Sequence, residues 1–252
     1  MQKTRIKQQV VENYIQPKEV DEVHKKQKKL VGTSKIIKIK LKEKQKELMQ
    51  IIDNNDLIII LGPAGVSKTF MDCYYAIEAL AQHKFEKVIF TKPIKEAGEK
   101  LGALPGDIND KIDPYYESFR QNLLQIIDKP TLEKLIKSEV IEFKPLTYLR
   151  GCGFQKTLMV LDESQNCDWK SIMLFVTRMG IDSKIIISGD ISQYDIDKKM
   201  TSLFGFSNMI ENMQNVCIFK FNREDICRHP MLIEITDRYE KLKFNEKIIE
   251  EK

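Results

Sequence analysis

Little in this sequence points to a membrane, a metal cluster or an oxidising compartment. No apolar run approaches the about 20 residues that a bilayer span requires, and Asn54-Asn55-Asp56 interrupts the longest candidate. The N-terminus carries charge without an apolar h-region, so a signal peptide is not expected. The five cysteines (Cys73, Cys152, Cys167, Cys217 and Cys227) are odd in number and scattered, with no C-x-x-C pair. The three histidines stand far apart. A disulfide framework and a structural zinc site are therefore not expected; reduced thiols in a cytoplasmic protein are. No internal repeat is visible.

What is present suits one globular core. The 252 residues are 42% hydrophobic and 31% charged, and the formal net charge is +4. The positive charge concentrates early, in Lys25, Lys26, Lys28 and Lys29 and then in Lys35, Lys38, Lys40, Lys42, Lys44 and Lys46. Residues 1–40 read as a basic N-terminal extension. They suit either a solvated face or electrostatic contact with the phosphates of RNA or single-stranded DNA. Tyr14 is the one aromatic residue in that arm, so base stacking is not its expected mode.

From residue 41 onward apolar runs alternate with helical spacing. Leu57–Leu61, Lys87–Thr91, Val140–Phe143, Thr157–Leu161, Lys184–Ser188 and Val216–Lys220 read as strands. Helices are expected over Glu43–Ile52, Thr69–Ala81, Pro114–Ile127, Thr131–Ser138 and Trp169–Met179, with residues 225–250 mostly helical. Continuous apolar strands separated by helices predict an α/β fold, a parallel sheet covered on both faces.

Three strand ends carry chemistry. Gly62-Pro63-Ala64-Gly65-Val66-Ser67-Lys68-Thr69 lies between a predicted strand and a predicted helix, the setting in which a phosphate loop works. Its amides and the helix N-terminus face phosphate oxygens, Lys68 reaches the β- and γ-phosphates, and the Thr69 hydroxyl suits magnesium. Ser67 stands where a glycine is expected. If that position needs positive φ the serine is strained; with helical dihedrals it is tolerated. Leu158-Met159-Val160-Leu161 runs into Asp162 and Glu163. Asp162 suits a metal ligand and Glu163 the polarisation of an attacking water; a helix cap assisted by Ser164 is the plainer reading. Ser188-Gly189-Asp190 leads to Gln193, placed to sense a γ-phosphate, or else a surface turn.

These blocks together resemble the PhoH-like family of P-loop ATPases, which is similar to the motor domain of superfamily 1 helicases. The resemblance spans roughly residues 40 to 242. Besides the phosphate loop it rests on Lys92-Pro93, Ala97-Gly98-Glu99, Leu101 to Asp107, Pro145 to Gly151, Leu161 to Asn166, Thr177 to Gly180, Gly189-Asp190 with Gln193, and Arg228-His229-Pro230. It implies a three-layer RecA-like core with a mostly parallel sheet over residues 41–252, binding and hydrolysis of ATP with Mg2+, and roles in RNA metabolism. Homo-oligomeric rings, hexamers among them, are implied too. By the same resemblance Gln45 would bond the adenine edge, and Gln165 and Asn166 would couple the site to a neighbouring surface. Arg178, Arg223 or, preferentially, Arg228 would meet the γ-phosphate, in cis or from an adjacent subunit. A compact member of the kind carried by bacteriophages fits the length, which would place it in the host cytoplasm. Three departures from the family pattern stand out: Ser67, Cys152-Gly153 after Arg150-Gly151, and Lys92 where arginine is usual. They bring in a slow or partner-dependent ATPase, and Ser67 with Cys152-Gly153 motivates an alternative, a nucleotide-gated scaffold with little turnover. A ring-forming helicase is the other alternative, drawn from the resemblance itself.

Overall fold

The computed structural model describes residues 36–93, 113–190 and 202–227, together with Met231, Ile233, Glu234, Ile235 and Arg238. In chain order the elements are α1 (Glu43–Asn54), β1 (Leu57–Leu61), α2 (Lys68–Ala81), β2 (Lys87–Thr91), α3 (Glu117–Leu124), α4 (Lys129–Lys137), β3 (Ile141–Phe143), β4 (Thr157–Leu161), α5 (Trp169–Val176), β5 (Lys184–Gly189), α6 (Ser202–Ile210) and β6 (Val216–Lys220). Short 3-10 turns at Asp113–Tyr116, Leu146–Leu149, Ser164–Asn166 and Arg223–Asp225 join them.

Among the described residues the strands form one sheet in the order β3-β2-β4-β5-β1-β6. Every pairing is parallel, so the sheet is wholly rather than mostly so. Side chains alternate across it. Ile58, Ile60, Val88, Phe90, Leu158, Val160 and Ile186 pack into one cluster with α1 to α4. Ile59, Ile89, Met159, Leu161, Ile185 and Ile187 pack into another with the 3-10 turn at Leu146, α5 and α6. Both faces are covered, and this is why the strands carry uninterrupted apolar residues: a parallel sheet has no solvated side. A RecA-like three-layer arrangement results, with β5 inserted between β1 and β4.

Most elements begin and end within a few residues of expectation, and the differences have physical causes. Helix α5 stops at Val176 instead of Met179. The backbone at 178–180 is recruited by Phe154, whose N–H donates to Arg178 O at 3.0 Å and whose carbonyl accepts from Gly180 N at 2.7 Å. Gly180 is required there, since a Cβ would lie 2.4 Å from Phe154 O. Pro114–Ile127 divides into a 3-10 turn and α3. Helix α4 begins two residues early because Asp128 caps it, its carboxylate accepting from Thr131 N at 2.8 Å with Pro130 in the first turn. Of residues 225–250, the described positions between 231 and 238 are helical. No helix among the described residues is long and apolar enough to cross a membrane.

Candidate functional site

The parallel sheet brings the carboxyl ends of β1, β4 and β5 to one edge, where an open α/β sheet receives ligands. The phosphate-loop segment leaves β1 there. Gly62 owes its identity to crowding, since a Cβ would sit 2.7 Å from Phe221 Cβ. Gly65 has φ +90°. Ser67 has φ +69° and ψ +30°, so the strained alternative is the one realised: a serine in the left-handed region at the N-cap of α2, without a side-chain cap bond. That conformation costs about 1 kcal/mol or more for a residue with a Cβ. Ser67→Gly is therefore expected to raise unfolding stability by about 1 kcal/mol, read from urea midpoints at unchanged m-value.

Lys68 folds back over the loop, donating to Gly62 O at 2.7 Å and Pro63 O at 3.0 Å. Burial pulls its ammonium below the ordinary range, opposed by the charges of Asp190, Asp162, Glu163 and Asp72. The Thr69 hydroxyl donates to Asp162 Oδ2 at 2.8 Å, so the start of α2 and the end of β4, 93 residues apart in sequence, meet through these side chains. Lys92, at the end of β2, brings its Nζ to 3.2 Å from the same oxygen. Asp162 is buried, and its Oδ1 accepts from Glu163 N at 2.9 Å. Glu163 itself adopts φ +54°, a second non-glycine residue in the left-handed region, with no side-chain cap bond. The helix-cap reading of Asp162-Glu163 is thereby set aside.

A hydrogen-bonded chain ties this edge together. Gln165 Nε2 donates to Glu163 Oε2 at 2.6 Å, and Gln165 Oε1 accepts from Asp190 N at 3.0 Å. Buried Ser164 donates to Ser188 O at 2.8 Å. Gly189 has no room for a Cβ, which would lie 2.5 Å from Ser164 Oγ and 2.6 Å from Leu203 Cδ2. Close packing on those two residues thus accounts for this glycine directly.

Asp72, one turn beyond Lys68, is a site residue that sequence reasoning misses. It is fully buried, accepts from Ser188 Oγ at 3.0 Å through Oδ1, and has no partner at Oδ2 among the described residues. Burial, then the Asp162 charge, pushes its carboxyl well above the ordinary range. A raised carboxyl pKa means that the folded state holds more protons than the unfolded chain from the usual carboxylate range upward, so this group's contribution to stability falls as pH rises through that window. Asp72→Asn is expected to flatten the fall, measured as urea midpoints between about pH 5 and pH 9. Its sequence signal is an acidic residue inside a helix whose neighbours Met71 and Cys73 are apolar.

A cavity of about 460 Å³ opens between the loop and α3, lined by Gly65, Lys68, Thr69, Lys92, Asp162 and Glu163 on one side. Ser118, Gln121, Asn122 and Gln125 line the other, a polar helical stripe that sequence periodicity leaves unassigned. A larger cavity of about 650 Å³ lies at the opposite, amino-terminal edge. Its charges are already satisfied: Lys84 pairs with Asp53 at 2.6 Å, and Lys184 donates to the carbonyls of Ile52 and Asp53 at the end of α1. The smaller cavity is the one with the chemistry.

Among the remaining candidates, Arg178 lies beside that amino-terminal edge, donating to Cys152 O at 3.0 Å and Leu174 O at 3.3 Å. Its guanidinium is thus not among the groups that line the smaller cavity. Gln193 and Arg228 lie outside the described residues. Gln45 is buried, and its Oε1 accepts from Lys42 N at 2.9 Å. Neighbouring Lys44 sits 4.0 Å from Asp225 and 5.5 Å from the Phe219 ring, while Cys227 N donates to Gly65 O at 2.9 Å. The start of α1 and the phosphate loop therefore flank the same turn after β6.

The sheet order, with the loop-bearing and acidic strands separated by β5, defines a P-loop NTPase fold of the RecA-like kind. The chain belongs to the PhoH-like protein family, whose model matches residues 37–240. A PhoH-like protein of Bacillus subtilis (strain 168) is 36% identical over 198 residues, covering 78% of this chain and 62% of the relative. Protein PhoH of Escherichia coli (strain K12) is 32% identical over 191 residues, covering 74% of this chain and 53% of that protein. The chain thus spans between about half and three fifths of the length of these curated relatives. A solved large terminase from a thermophilic bacteriophage superposes with a TM-score of 0.53 at 11% identity, over 80% of this chain and 50% of that one. At that identity the likeness concerns the fold.

Proposed function

We propose that this chain binds ATP with magnesium at the phosphate loop and hydrolyses it, and that turnover responds to single-stranded RNA or DNA. The observation that carries the reading is the meeting of Lys68, Thr69, Asp162 and Glu163 around one cavity at the carboxyl edge of the sheet. The donor set fits magnesium. Thr69 and Asp162 offer adjacent hard oxygens, and no cluster of three acidic, histidine or cysteine side chains among the described residues would hold a metal alone. Such a pair suits an ion that keeps waters and takes its other ligands from substrate phosphates. Magnesium would supply charge neutralisation on the phosphate oxygens.

The protein groups then divide the work. Loop amides and the N-terminus of α2 hold the phosphates, and Lys68 exchanges its loop carbonyls for phosphate oxygens. Glu163, held by Gln165, accepts the proton of the attacking water. Gln193 and an arginine, Arg228 by preference, complete the γ-phosphate end, and the amide of Gln45 meets the adenine edge. The basic arm over residues 1–40 gathers the nucleic-acid backbone.

A scaffold reading with little turnover draws on the strained Ser67. Phosphate release across a panel of RNA and DNA strands separates the two. Stimulated release, with nucleic-acid affinity falling steeply between about 50 and 200 mM salt, is the expected result. Nucleotide binding with no stimulated release would give the scaffold reading precedence.

A further inference from the structure

We propose that Lys92 is a second phosphate-directed ammonium, held in reserve on the metal-binding carboxylate. It neutralises Asp162 while the site is empty and transfers to the terminal phosphate when a divalent cation takes that carboxylate. The inference rests on the ATPase reading above.

Lys92 directly follows β2, which lies next to β4 in the sheet, and its Nζ lies 3.2 Å from Asp162 Oδ2 with the two side chains 12% and 2% exposed. The same oxygen accepts from Thr69. Both groups that suit the metal are thus bound to each other, and the positive charge Asp162 needs is supplied by the protein. A buried carboxylate without a counter-charge is costly, and the Lys92 ammonium provides that charge.

The other contacts of Lys92 are of a kind that lets go. Its Nζ donates to Ser118 Oγ at 2.6 Å and stands 4.8 Å from the Phe119 ring centroid. A neutral hydroxyl and an aromatic face hold an ammonium without fixing it as a second carboxylate would. Among the described residues its one ion pair is to Asp162. A divalent cation seated between Thr69 and Asp162 would repel the ammonium at close range. The bound triphosphate is then within its reach, in a cavity that Lys92 lines together with Lys68. Lysine suits this task better than arginine: a compact charge on a four-carbon stem changes partners without surrendering a bidentate geometry.

Manganese binding to the nucleotide-free protein, followed by electron paramagnetic resonance, tests the exchange without relying on turnover. Lys92→Met is expected to tighten manganese binding about tenfold or more, because Asp162 loses its competitor. Phosphate release at saturating substrate should fall about 100-fold with KM little changed. Lys92→Arg keeps the charge and should leave manganese affinity near that of the wild type. Manganese binding that is unchanged or weaker in a folded Lys92→Met protein overturns the proposal and makes the pair structural. Should that variant be too unstable to assay, Ser118→Ala releases one hold on Nζ and is expected to tighten manganese about threefold; no change there overturns it equally. Failure here leaves the ATPase reading intact, whereas an unaltered Lys68→Ala protein would remove both.

Discussion

Lys68→Ala is expected to lower ATP turnover by about 10²–10³-fold and to weaken nucleotide binding by about tenfold or more. The ammonium lies among the charges of Asp190, Asp162, Glu163 and Asp72, and it is the group that can carry positive charge from the loop onto the phosphates. It donates to Gly62 O and Pro63 O in the structure. Alanine therefore also loosens the loop, which adds to the binding loss. Titration with a fluorescent nucleotide and steady-state phosphate release measure the two effects separately. If both stayed at wild-type values, the phosphate-loop reading would be wrong.

Glu163→Gln is expected to separate binding from chemistry, reducing turnover by about 10²–10⁴-fold while nucleotide affinity stays within a few-fold of wild type. The amide keeps the shape of the carboxylate and can still accept from Gln165 Nε2, now at 2.6 Å from Glu163 Oε2, so the strand end retains its geometry. What it loses is the capacity to take a proton from water. A variant that hydrolyses ATP as fast as the wild type would assign the proton transfer to another group. One that no longer binds nucleotide would mean that the bond to Gln165 fixes the edge of the site and that Glu163 acts structurally.

The alternating course of the chain is readable because a parallel sheet covered on both faces writes itself as continuous apolar runs. Leu57–Leu61 and Thr157–Leu161 are strands with the expected limits, every residue buried. Helix ends are less readable. Periodicity carries on past Val176, and what stops α5 is the pairing of Phe154 with residues 178–180, a contact between distant segments. Within the site, the glycine pattern and the Asp162-Glu163 pair are legible, while the dihedrals of Ser67 are not. Its letter allows either backbone state, and φ +69° follows from the loop having to turn between β1 and α2.

Local chemistry alone determined the alternation of strands and helices, the loop that can cradle phosphates and the carboxylates at a strand end, since each depends on residues adjacent in the chain. Tertiary structure decided which strand ends are neighbours. Placing β5 between β1 and β4 joins Gln165 to Asp190, and pairing β2 with β4 sets Lys92 against Asp162. It also buried Asp72 beside Ser188 and sent Arg178 to the far edge. Strand order is a property of how whole layers pack, and no window of sequence contains it.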